Sequence, residues 1–60
     1  PEWMTEPDAA AHLTLSISMM RKLRRTGEGP THHRFGRCVR YRRTDLTAWI
    51  ATRSIEGEAA

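Results

Sequence analysis

Residues 31–42, THHRFGRCVRYR, constrain the fold of this chain more than any other segment. Apolar and aromatic residues recur there at every second position, first His33 and Phe35, then Val39 and Tyr41, with Arg34, Arg40 and Arg42 in the gaps. A period of two marks a strand with one buried and one solvated face. A disordered basic tail has no cause to hold Phe, Val and Tyr in register. Gly36 interrupts the alternation, and the spacing predicts two short strands meeting at Gly36-Arg37-Cys38. The result is a β-hairpin with Phe35, Val39 and Tyr41 inward, an arginine-coated outer face and Arg37 at its tip.

The flanks carry helical signals. TEPDAAAHL (5–13) opens on Thr5 as N-cap, tolerates Pro7 in the first turn, and places Glu6 and Asp8 at the positive end of the helix dipole. Ala9, Ala10 and Leu13 share a face that can lie close against a neighbour. Thr14 breaks this helix and Ser16 caps the next, ISMMRKLRRT (17–26), which Gly27 stops. Leu15, Met20 and Leu23 point inward. Ser18, Arg21, Lys22 and Arg25 fall on the opposite face, and Arg24 lies nearer the core margin, its stem over apolar surface. GEGP (27–30) is a turn. After the hairpin, RTDLTAWIATRS (43–54) predicts a third helix with Thr44 as N-cap and Leu46, Trp49, Ile50 and Arg53 on one stripe. Trp49 is expected in the core and Trp3 as a lid on the first helix. The expected fold is therefore α+β: two short N-terminal helices, a two-stranded hairpin and a C-terminal helix. It occupies residues 5–54, with 1–4 as an N-terminal extension and 55–60 as a frayed tail.

A chain of 60 residues is one domain at most, with a small core. One cysteine, Cys38, excludes an internal disulfide and suits a cytoplasmic setting. No stretch approaches the ~20 apolar residues of a membrane span, and no signal-peptide pattern is present. The charge is uneven. Residues 1–20 carry −3, residues 21–43 carry nine of the ten bases against Glu28, and residues 44–60 carry −2, within a net charge of +3. A central basic block of this density points to a polyanion. Arginine outnumbers lysine nine to one, which favours phosphate forks and guanine edges.

Helix, short turn, helix and basic hairpin together make a winged helix-turn-helix. The stretches MTEPDAAAHLTLS, MRKLRRTGEGP and RFGRCVRYRRTDLTAWI resemble the small winged-helix proteins of the excisionase and AlpA type, related to the MerR DNA-binding domain. The resemblance covers residues 4–51, and GRCVRYRRTDLTAWI is its most specific part. Five positions depart from the family pattern: Thr14 for a turn glycine, Ile17 for proline, Met19-Met20 for Thr-Leu, and His32 for an aromatic residue. The resemblance implies sequence-specific binding and bending of double-stranded DNA in a bacterial host cell. An excisionase, or recombination directionality factor, of a phage or mobile element would do this to turn an integrase toward excision, with copies binding cooperatively side by side. A small transcriptional regulator with the same domain is the alternative. On this reading Ser18, Arg21, Lys22 and Arg25 face the major groove, Arg21 and Lys22 reaching base edges. Ser16 and Ser18 donate to phosphate. Arg37 enters the minor groove, and Arg34, Arg40 and Arg42 hold the backbone.

Other chemistry finds little support. His32, His33 and Cys38 could approach across the hairpin, yet no C-x-x-C and no fourth ligand accompany them, so no metal is expected. No nucleophile–base–acid spacing, glycine-rich phosphate loop or paired-carboxylate site is present, so neither catalysis nor a cofactor or small-molecule substrate is expected.

Overall fold

A computed structural model describes residues 1–53. The order is β1 (Trp3–Thr5), α1 (Glu6–His12), α2 (Ile17–Thr26), β2 (His32–Phe35), β3 (Cys38–Arg42) and α3 (Arg43–Arg53). The three strands form one antiparallel sheet in the order β1-β3-β2. The architecture is α+β, that of a small winged helix-turn-helix.

Local chemistry sets the helix ends. Thr5 is extended and its Oγ1 accepts the Asp8 N–H at 3.2 Å, so α1 starts at Glu6 with Pro7 in the first turn. Ser16 does the same for α2, its Oγ accepting the Met19 N–H at 3.0 Å. Between the helices Thr14 takes φ 57°, the left-handed conformation that glycine adopts most easily. That turn lets the Leu15 N–H reach the Ala10 carbonyl at 2.8 Å. Gly27, at φ 77°, ends α2. The Leu23 carbonyl there accepts from Gly27, from Glu28 at 3.1 Å and from Gly29 at 3.2 Å.

The hairpin differs from expectation in its register. Its turn is two residues, Gly36 and Arg37, not three, and it pairs Phe35 with Cys38, Arg34 with Val39, His33 with Arg40 and His32 with Tyr41. Gly36 has φ +64° and Arg37 does not join it above zero, the pattern of a type II′ turn. Directly paired residues share a face. A three-residue loop would have put His33 and Phe35 with Val39 and Tyr41; the two-residue turn puts them on the opposite face, with Arg40 and Arg42. Arg34 instead shares the face of Val39. Each strand's alternation was legible, but the turn length decides which faces coincide.

Residues 3 and 4, expected to precede the domain, belong to the sheet. Met4 pairs with Tyr41, Trp3 with Arg42 and Thr5 with Arg40. Trp3 is not a lid on α1. It lies on the solvated sheet face, its ring edge-on to His33 at 5.1 Å and to Phe35 at 5.5 Å. Phe35, expected as an anchor, is 56% exposed. Helix α3 follows β3 without a linker. The Arg43 N–H donates to the Glu2 carbonyl at 2.7 Å, so Thr44 lies inside the first turn and is not its cap.

The core holds Met4, Ala9, Ala10, Met20, Tyr41 and Leu46, with Leu13, Leu15 and Val39 packed against it. It is thus built from one sheet face and one stripe of each helix. Ala9 and Ala10 let α1 approach its neighbours closely. Of the expected α3 stripe only Leu46 is buried. Trp49 is half-buried and its indole N–H donates to the Glu28 carbonyl at 3.0 Å, tying α3 to the turn after α2.

Candidate nucleic-acid interface

Met20 is fully buried, which turns Ser18, Lys22 and Arg25 of α2 directly away from the core and Arg21 to the flank. All four are exposed. Ser16, also exposed, spends an acceptor site on capping and keeps its hydroxyl proton free to donate. In the hairpin, Arg34 and Arg37 are exposed, Arg37 at the turn, and Arg40 is half-buried with Nη1 donating to the Val39 carbonyl at 2.9 Å.

The basic residues fall into two groups. Lys22, Arg25, Arg34 and Arg37 make no hydrogen bond or ion pair with side chains among the described residues, and all four are exposed. Arg24 and Arg42 are committed. Arg42 pairs with Glu2, Nη2 to Oε2 at 2.7 Å and Nε to Oε2 at 2.8 Å, with its guanidinium 5.5 Å from the centre of the Trp3 ring. Arg24 gives Nε to Glu6 Oε2 at 2.6 Å and Nη2 to Oε1 at 3.3 Å, a bidentate fork. Arg21 stands between the groups, its Nε 3.7 Å from Glu6 Oε1 while its side chain is 62% exposed. With no hydrogen bond at that distance and Arg21 largely in solvent, the pair does not hold the side chain from another anion.

Glu6 is the residue that sequence reasoning missed. Its position in the first turn of α1 suggested a dipole role. The structure adds Tyr41 Oη, which donates to Oε2 at 2.9 Å, so one carboxylate joins α1, α2 and β3. Burial alone would raise its pKa. Hydrogen bonds from Arg24 and Tyr41, then the charges of Arg24 and Arg21, outweigh burial and hold the carboxyl below its ordinary 4.5. Its hydrogen bond in turn raises Arg24, against the cost of burial. Burial first, and the Glu6 carboxylate second, push Tyr41 up to about 12. The partners come from 18 and 35 positions away, so no local pattern announces them.

His32 and His33, adjacent on β2, point to opposite faces of the sheet. His33 Nε2 lies 2.9 Å from Asp45 Oδ2, and the His32 ring sits 6.3 Å from that of Tyr41. Among the described residues no group of three His, Cys, Asp or Glu converges on a metal position. No described helix is long and apolar enough to cross a membrane.

No match was found among curated proteins. The model of the helix-turn-helix domain family matches residues 3–54, which spans β1 through α3 and so takes in the strand that precedes the helix pair. The two capped helices, the left-handed turn between them and the hairpin behind them are thus the local expression of a pattern that runs through nearly the whole chain. This chain belongs to the helix-turn-helix domain family, a family of DNA-binding domains.

Proposed function

We propose that the protein binds specific duplex sites through α2 and the β2–β3 hairpin, bends them, and acts as an excisionase that turns an integrase toward excision of a mobile element. The observation that carries the binding surface is the sorting of its basic groups. Lys22, Arg25, Arg34 and Arg37 are exposed and unpaired among the described residues, while Arg24 and Arg42 are committed to carboxylates.

In this reading Ser18, Arg21, Lys22 and Arg25 line the major groove. Arg21 and Lys22 have the reach for guanine N7 and O6, and Ser16 and Ser18 donate to phosphate at the start of the helix. Arg37 at the hairpin turn enters the minor groove, where narrow stretches attract guanidinium groups. Arg34 holds the backbone. Arg40 and Arg42 do so after giving up a carbonyl and Glu2 respectively. The directional role rests on the resemblance to excisionases together with the charge pattern. Acidic ends and a basic middle suit copies that sit side by side and curve the duplex between them.

Two experiments test this. A gel shift across a salt series should show log affinity falling steeply with log salt, and Arg37→Ala should flatten the slope by about one without changing Tm. A flat salt response removes the DNA-binding surface. An integrase reaction run with and without the protein tests the direction: excision unchanged by the protein refutes the excisionase role.

A further inference from the structure

Helix α2 is held by little. Met20 is its one fully buried side chain, and Leu23 and Arg24 are half-buried. The polar tie that fixes it against the rest of the fold is the Glu6 carboxylate, 12% exposed, which accepts two bonds from Arg24 on α2 and one from Tyr41 on β3. Three of about four lone-pair sites are filled. The remaining side of the carboxylate faces Arg21 Nε at 3.7 Å. The same group therefore does two things to α2. It sets the helix's attitude to the sheet and hence to the hairpin. It also neutralises one of the helix's basic side chains, Arg24, and lies beside a second, Arg21, leaving Lys22 and Arg25 free.

We propose that Glu6 is a positioning residue for DNA recognition: through Arg24 and Tyr41 it fixes how α2 is presented, and by withholding Arg24 it limits sequence-independent attraction to phosphate. This rests on α2 and the hairpin being the DNA-binding surface. Specific and non-specific binding then respond to Glu6 in opposite directions. Without its charge a guanidinium is released, so a duplex of arbitrary sequence is bound more tightly and with a steeper salt slope. Without its geometry the base-reading side chains lose their register, and the specific site is bound less tightly.

The test measures affinity of the full chain for a selected site and for a scrambled duplex, over a salt series, at a temperature where circular dichroism shows each variant folded. Glu6→Gln is expected to lower the specific-to-scrambled ratio about tenfold, the size of one lost bidentate base contact, and to steepen the scrambled-duplex salt slope by about one. Adding Arg24→Gln should return the scrambled affinity to the wild-type value while the ratio stays low, which separates charge from geometry. Tyr41→Phe, which keeps the ring and both charges, should lower the ratio by a smaller factor and serves if Glu6→Gln does not fold. An unchanged ratio overturns the proposal, as does a parallel loss on both duplexes, the mark of a structural role alone. Wild-type protein that binds neither duplex overturns the binding surface itself.

Discussion

Replacing Gly29 by alanine isolates a close approach that the sequence shows only as part of a turn. A Cβ built there meets the Leu23 Cβ at 2.9 Å and the Leu23 carbonyl carbon at 3.3 Å. Neither atom is the end of a flexible side chain, so relief requires backbone movement. The backbone concerned is the Leu23 carbonyl, which accepts from Gly27, Glu28 and Gly29, and the carbonyl just before Gly29, that of Glu28, receives the Trp49 indole N–H. Forcing an extra methyl into such a site costs about 1–3 kcal/mol. Alanine's lower entropy in the unfolded chain returns about 0.4–1 kcal/mol. The net loss is about 1–2 kcal/mol, and in a domain this small each kcal/mol moves Tm by about 4–8 °C. Thermal melts followed by circular dichroism should therefore place Gly29→Ala roughly 10 °C below the wild type. Truncating Leu23 to alanine should give no rescue, because the clash is with a Cβ that alanine retains. Gly27→Ala, where nothing lies within 4 Å, should instead be destabilised through its φ of +77° alone. A Gly29→Ala melt at or above the wild-type temperature would refute the steric reasoning.

Thr14→Gly removes a left-handed penalty of about 1–2 kcal/mol and gives back up to about 1 kcal/mol in chain entropy, along with the exposed bond from Thr14 Oγ1 to the Leu13 carbonyl. A small rise in Tm is expected, and a clear fall speaks against strain at this turn. Acid should expose Glu6: its folded pKa is lowered, so its contribution is complete above its ordinary 4.5 and is lost as pH falls through the folded value. The Tm of wild type should drop toward that of Glu6→Gln in this range, and a constant gap between them contradicts the assignment. At the alkaline end Tyr41 rises from 10.0 to about 12, so the stability of its neutral form is complete below pH 10 and declines from there through 12. Tyr41→Phe should lack that decline, and an identical alkaline profile in both proteins counts against it. Finally, Ile17 and Met19 expose 41% and 43% of their surface beside Ser18 at the start of α2. Deoxyuridine in place of a contacted thymine should weaken binding about threefold to fourfold, about 0.8 kcal/mol for one buried methyl. Met19→Ala should be indifferent to that change, and equal sensitivity in both proteins excludes Met19 as the methyl contact.

What could be read from the sequence was local. Thr5, Ser16 and Gly27 announce three helix ends through their own short-range chemistry, and α2 spans the expected 17–26. Thr14 stood out as replacing a turn glycine in the resemblance; that its backbone is left-handed came from the structure. Whatever depended on distant pairing was not legible. Strand β1 is three residues long, too short for a period to register, and exists because β3 returns to it nearly forty residues later. Thr44 carried a cap signal that the start of α3 at Arg43 overrode. The basic face of α2 was visible on a helical wheel. Which guanidiniums are committed was not, since Glu2 and Glu6 find their arginines across the fold. The expected fraying of 55–60 lies outside the described residues.

Two junctions of the fold have no slack. Thr5 is at once the last residue of β1 and the cap of α1, and Arg42 ends β3 where Arg43 begins α3. A load on the hairpin therefore finds no hinge at either place and passes into α1 and α3. In the proposed two-groove binding, the softer partner would be the one to yield. Duplex DNA has a persistence length of about 150 base pairs and kinks readily at pyrimidine–purine steps, so it conforms to the protein. On the proposed binding through α2 and the hairpin, the curvature of the complex would follow the angle between α2 and the sheet, which the Glu6 carboxylate ties together.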